Sequence, residues 1–194
     1  MEIQKTSIKN FLLKNENYFK IPEFQRPYTW GQLSVDQYIK DIENVIKDGK
    51  IHFFGSVVFV YEPKNKMVID GQQRLTTTFL FLAAIYHLLN DKILEEGIHT
   101  AQKIKNQILY AEFGETHDNR PIILRTVTTD DKVFEFILKN PKGLKDDHKA
   151  NKQYKAFHFF YNYLKDKGNL DKYFDALDKL EIVTIALTDK DDDP

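Results

Sequence analysis

"VIDGQQRLTTTFLFLAAI", residues 68–85, sets an acid, a glycine, two amides and an arginine between a strand-like run and an apolar helix. A strand that ends in Asp-Gly and passes at once into a helix leaves the first helical amides unpaired and facing outward. Together with the helix dipole they suit an anion such as a phosphate. In that setting Gly71 lets backbone approach a ligand closely, and Arg74 can clamp a phosphate through two parallel hydrogen bonds. Asp70 can hold a divalent metal ion or orient water, Gln72 and Gln73 offer both donors and acceptors, and Thr76 and Thr77 add hydroxyls in the first turn. The competing reading is turn chemistry, in which Asp70 caps the helix and Gly71 eases the bend.

The surrounding chain reads outward from this turn. The helix after Arg74 is apolar almost all round and should be enclosed on most sides. Its apolar run, Leu75 to Leu89, is shorter than the roughly 20 residues of a membrane span. Upstream, "HFFGSVVFVYEPKNKMVIDG" reads as a hairpin with strands 53–61 and 67–70. "SVDQYIKDIENVIKDGK" reads as an amphipathic helix with Val35, Tyr38, Ile39, Ile42, Val45 and Ile46 on one face and Gly49 as its stop. Ser7 can cap a short helix through Ile8, Phe11, Leu12 and Leu13. Downstream, 91–120 is mixed helix and loop. "TTDDKVFEFIL" is a helix with Thr129 as its cap, and "NPKG" (140–143) breaks it. Helices then follow over 148–165 and 169–180, and "EIVTIALT" is a late strand running into the acidic "DKDDDP".

"IPEFQRPYTW", residues 21–30, poses a second question. Pro22 and Pro27 forbid a helix and stiffen the segment, so Gln25 and Arg26 are presented between flanking Tyr28 and Trp30. An arginine among aromatic rings suits stacking on a nucleobase with phosphate contact. An aromatic-rich loop covering the core is the equal alternative.

Composition narrows the choices. The 194 residues carry a formal net charge of −1, which excludes a globally basic nucleic-acid binder but not a local basic patch. Cysteine is absent, so disulfides, thiol catalysis and cysteine-ligated zinc are excluded. The N-terminal stretch has no continuous apolar segment of the secretory kind, and a cytoplasmic location is expected. The histidines show no ligand spacing, and no Walker A loop, HExxH or GxSxG motif occurs.

Taken together, "IPEFQRPYTW", "FFGSVVF" and "VIDGQQRLTTTFLFLAAI" resemble the N-terminal domain of GmrSD-type restriction endonucleases. "RTVTTDDKVFEFIL" and "NKQYKAFHFFYNYL" extend the resemblance over nearly the whole chain. It implies a ParB- and sulfiredoxin-like core with an added helical part, and nucleotide hydrolysis that governs cleavage of modified phage DNA. The family's DGQQR motif falls on Asp70, Gly71, Gln72, Gln73 and Arg74. Its IPxxQRxYxW motif falls on Ile21, Pro22, Gln25, Arg26, Tyr28 and Trp30. The HNH-like nuclease domain of the family has no counterpart in this sequence, and the chain is expected to be an N-terminal part of a longer protein.

The expectation is therefore an α+β fold with a small mixed sheet. Residues 1–90 form a ParB-like core carrying both motifs, and 91–194 form a mainly helical portion of the same domain. The expected function is a nucleoside-triphosphate-binding and hydrolysing regulatory domain of a phage-defence restriction system. Asp70, Arg74 and Gln73 are the expected catalytic residues, with Asp70 as ligand to Mg²⁺. Gln25, Arg26, Tyr28, Gly71, Gln72, Thr76 and Thr77 are the expected nucleotide-binding residues. Expected partners are the nucleotide, an HNH-type nuclease domain or subunit, and DNA reached through the full-length protein, with no membrane. The runner-up is a DNA-binding or modification-sensing module without turnover, and a metal-dependent nuclease is the third reading.

Overall fold

A computed structural model describes residues 1–13, 18–63, 65–91, 98–110, 122–139, 148 and 150–187. The architecture is α+β, built on a mixed six-stranded sheet. Its strands are β1 (Glu2–Ser7), β2 (Tyr18–Lys20), β3 (His52–Tyr61), β4 (Asn65–Asp70), β5 (Leu124–Arg125) and β6 (Leu180–Leu187). They lie in the order β1-β6-β3-β4-β2-β5. The β1/β6 and β3/β4 pairs are antiparallel, and the β3/β6, β2/β4 and β2/β5 pairs are parallel. The helices are α1 (Ile8–Leu13), α2 (Gln32–Asp48), α3 (Gln72–Asp91), α4 (Ile98–Ile104), α5 (Thr128–Lys139), α6 (Lys152–Lys165) and α7 (Asp171–Ala176). A π-helical turn, Lys105–Leu109, continues α4.

The α3 helix is the pivot of this arrangement, with every residue from Leu75 to Leu89 buried. Such a helix has no solvent face, so its sequence shows no helical stripe. Phe79 meets Phe19 of β2 and Phe134 of α5, at centroid distances of 6.1 and 6.3 Å. Phe81 meets Tyr38 of α2 and Phe160 of α6, at 5.5 and 5.4 Å. His87 is a satisfied core histidine, bonded through Nε2 to the Ile137 carbonyl at 2.8 Å and set edge-on to Phe157. Among the described residues, no helix is long and apolar enough to cross a membrane.

Most elements fall where the pattern of apolar residues puts them. The Ser7 hydroxyl accepts from the Asn10 amide at 3.1 Å and so caps α1. Gly49 closes α2 in the left-handed conformation (φ 67°), its N–H donating to the Val45 carbonyl at 2.9 Å. The α2 helix begins at Gln32, two residues ahead of Ser34. Thr129, expected as the α5 cap, lies inside the helix instead. The Thr128 amide and hydroxyl both donate to Glu23 Oε1, at 3.0 and 2.6 Å, so the carboxylate that serves this helix end comes from the proline-bounded segment. The β1 strand was not anticipated. Its side chains are mostly exposed, and its order comes from pairing with β6 in a register that sets Ile3 opposite Ile185. The expected break at 140–143 and the acidic stretch at 189–194 lie outside the described residues.

Candidate functional site

The turn from β4 into α3 forms one wall of a cleft of about 430 Å³. The cleft is lined by Gln25, Arg26 and Trp30 on one side and by Asp70, Gly71, Gln72, Gln73 and Arg74 on the other. The two motifs, distant in sequence, thus face one space. Trp30 is partly buried against the core, as the covering-loop reading expects, and also lines this wall.

The turn is tight because the backbone crosses close behind it. Gly71 has φ 86°, and a Cβ there would stand 2.6 Å from the Ser56 carbonyl oxygen of β3. No side chain fits that contact. The Gly71 carbonyl accepts from the Leu75 amide at 3.0 Å, which makes the glycine itself the first residue of the helix cap. The amides of Gln72, Gln73 and Arg74 have no acceptor among the described residues. Asp70 is exposed, and its carboxylate accepts no hydrogen bond from them. The simple cap reading of Asp70 therefore fails.

Arg74 lies across β3, where its Nη1 donates to the Ser56 carbonyl at 3.3 Å. Gly55 makes that position possible, because a Cβ on Gly55 would lie 2.7 Å from the Arg74 Cζ. Neither Arg74 nor the exposed Arg26 has an ion-pair partner among the described residues. Two guanidinium groups, a helix N-terminus and one carboxylate leave the cleft with a positive balance, which suits a polyanion.

The opposite wall is held by a network that draws on distant parts of the chain. Gln25 Nε2 donates to the Ile69 carbonyl at 3.0 Å, tying the segment to the end of β4. Gln73 spends its amide on the same segment: Oε1 accepts from the Thr29 amide at 2.8 Å, and Nε2 donates to the Pro27 carbonyl at 3.2 Å. The Tyr28 amide donates to Asp130 Oδ2 at 2.6 Å, and Asn151 Nδ2 donates to Asp130 Oδ1 at 3.0 Å. Lys152 donates to the Thr29 carbonyl at 3.1 Å. Sequence reasoning did not single out Asp130, Asn151 or Gly55. Only Gly55 left a trace, as an isolated glycine in an apolar strand.

Three of the expected binding residues sit below the cleft rather than in its wall. Tyr28 is buried, and its hydroxyl bonds to Thr77 Oγ1 at 2.8 Å. Burial pushes its phenol far above the ordinary tyrosine value, so it stays neutral. The Thr77 hydroxyl also reaches the Gln73 carbonyl at 2.7 Å, and Thr76 is buried beneath Gln72 and Gln73. Among the described residues, no group of three or more histidine or acidic side chains could hold a metal ion by itself. Among the described residues lining the cleft, Asp70 offers the one unengaged carboxylate, and Mg²⁺ is commonly held by one or two carboxylates together with substrate phosphates.

Comparison with curated proteins gave no match. The family model described as "GmrSD restriction endonuclease, N-terminal domain" matches residues 8–194 and so spans both walls of the cleft and the helices behind them. The chain belongs to the family of GmrSD restriction endonuclease N-terminal domains.

Proposed function

We propose that the cleft binds the phosphates of a nucleoside triphosphate and that the domain hydrolyses it as the regulatory part of a phage-defence restriction system. The observation that carries this reading is the convergence of Arg26, Arg74 and the open α3 N-terminus on one cleft in which, among the described residues, the unengaged Asp70 is the only acid. Arg74 and the amides of residues 72–74 hold phosphate oxygens. Arg26 approaches from the facing wall, and Trp30 supplies a ring beside it. Asp70 orients the attacking water. Asp70 would also be the residue to hold a Mg²⁺ ion, which would supply neutralisation of phosphate charge. Gln25 lines the same space as a ligand contact, and Gln72 meets it through its backbone amide. Gln73 acts as a positioning residue, since its amide fixes the backbone of the facing wall. Thr76, Thr77 and Tyr28 support the turn from below. A nuclease domain or subunit of HNH type supplies the cutting activity, and DNA is reached through that assembly.

The test is nucleotide titration by calorimetry with phosphate release, on the protein and on Asp70→Asn and Arg74→Ala, with Mg²⁺ present. The asparagine preserves shape, so Asp70→Asn should bind the nucleotide and lose turnover. Arg74→Ala should weaken binding by tenfold or more, since a charge-assisted contact contributes about 1.5–3 kcal/mol. Normal binding and turnover in both variants would overturn the reading. Salt-sensitive duplex binding with no response to nucleotide would favour a DNA-sensing module.

A further inference from the structure

A second, much smaller cavity of about 10 Å³ adjoins the cleft. Arg26, Gln72 and Gln73 form the partition between the two spaces, and Tyr28, Thr126 and Gln153 line the inner one. Its walls carry polar atoms that nothing satisfies. Gln72 Oε1, Thr126 Oγ1 and both Gln153 Oε1 and Nε2 are buried without a hydrogen-bond partner among the described residues. Gln153 is wholly buried, and Gln72 and Thr126 are each 7% exposed. Buried polar groups are rarely left unpaired, and each one costs about 1–3 kcal/mol when it is. Three residues, from α3, α6 and the connection between β5 and α5, concentrate four such atoms around one small space.

The size and the donor set identify the occupant. A cavity of roughly 10–15 Å³ holds a single water and nothing larger, and internal waters make 2–4 hydrogen bonds to such groups. The lining supplies two amide oxygens that accept, one amide N–H that donates and one hydroxyl that does either. Water donates twice and accepts twice, so it fits this set. We infer that the chamber beneath the DGQQR turn is a binding site for one internal water molecule, through which Gln153 of α6 and Thr126 hold the Gln72 amide. Gln72 and Gln153 have no direct hydrogen bond among the described residues, so the water links the turn to α6 at this point. This inference is independent of what the outer cleft binds.

Two measurements decide it. A crystal structure of the protein should show one isolated density peak in the chamber within hydrogen-bonding distance of Gln72 Oε1, Thr126 Oγ1 and the Gln153 amide. A cycle of Gln72→Leu, Gln153→Leu and the double variant, read by thermal melting, should be non-additive, the double variant losing less than the sum of the singles. Each single change strands a polar group that the double removes. A dry chamber with the two amides turned onto each other, a peak too large for water, or additive melting shifts would each overturn the inference. If a leucine variant fails to fold, the density in the unaltered protein decides alone.

Discussion

A Cβ on Gly55 would stand 2.7 Å from the Cζ of Arg74, so the guanidinium of the DGQQR arginine lies where only a glycine on β3 leaves room. Gly55 also has φ 115°, and strain of that kind costs of order 1–3 kcal/mol for other residues. Gly55→Ala should destabilise the domain and displace Arg74 together. In an Arg74→Ala background the collision is gone and only the backbone strain remains, so the same change should destabilise less. Chemical denaturation of the four proteins measures the difference. Equal effects in both backgrounds would show that the glycine serves the strand and not the arginine.

The exposed Asp70 carboxylate has no hydrogen bond or ion pair to lose. Asp70→Asn should leave stability unchanged to within about 0.5 kcal/mol by urea denaturation, as for other surface changes away from special features. A larger loss would mean that the acid secures the turn.

Asp130 is buried, and each of its oxygens accepts one bond, from the Tyr28 amide and from Asn151. Asp130→Asn keeps one acceptor and turns an N–H₂ group toward a donor. The expected loss is about 1–3 kcal/mol, the usual consequence of stranding a buried polar group, read by chemical denaturation. The same variant should bind nucleotide more weakly, because the backbone at Tyr28 anchors the wall that carries Gln25 and Arg26.

Far from the cleft, Glu43 Oε1 on α2 accepts hydroxyl bonds from Tyr163 and Tyr173, both at 2.7 Å, with Lys167 Nζ at 3.5 Å. Burial raises the Glu43 pKa, but the tyrosine hydroxyls and the lysine outweigh it and hold the carboxyl below its usual value. A depressed folded-state pKa means that stability is present above the unfolded value and lost as pH falls through the folded one. The melting temperature of Glu43→Gln should therefore lie below that of the unaltered protein near neutrality. The gap should close as the solution is acidified past the normal glutamate range. A gap that stays constant with pH would remove the charge from the account.

What could be read from the residues alone followed from how locally each element is specified. The α2 helix carries its apolar stripe and its terminating glycine in one window. The two motifs likewise stand out as clusters of polar residues within one window each, and the cleft brings Gln25 and Arg26 opposite Asp70 and Arg74. By contrast, Glu2–Ser7 has no alternation to betray a strand, since β6 supplies its pairing from the other end of the sequence. Asp130 and Gln153 stand within helical stretches where nothing in the neighbouring sequence marks them out. Their importance comes only from where α5 and α6 set them, beside the 21–30 segment.

The place of β6 has a consequence for how the domain comes into being. This strand lies between β1 and β3, yet it is the last element of the described chain to leave the ribosome. Until residues 180–187 emerge, β1 has no partner, and the β3 edge that β6 will cover presents unpaired amides and carbonyls to any extended peptide nearby. Both motifs are synthesised well before the sheet that supports them can close. Long-range parallel pairing of this sort is slow to form. Nascent chains stalled short of β6 should accordingly be the species that chaperones retain and that aggregate when chaperones are scarce.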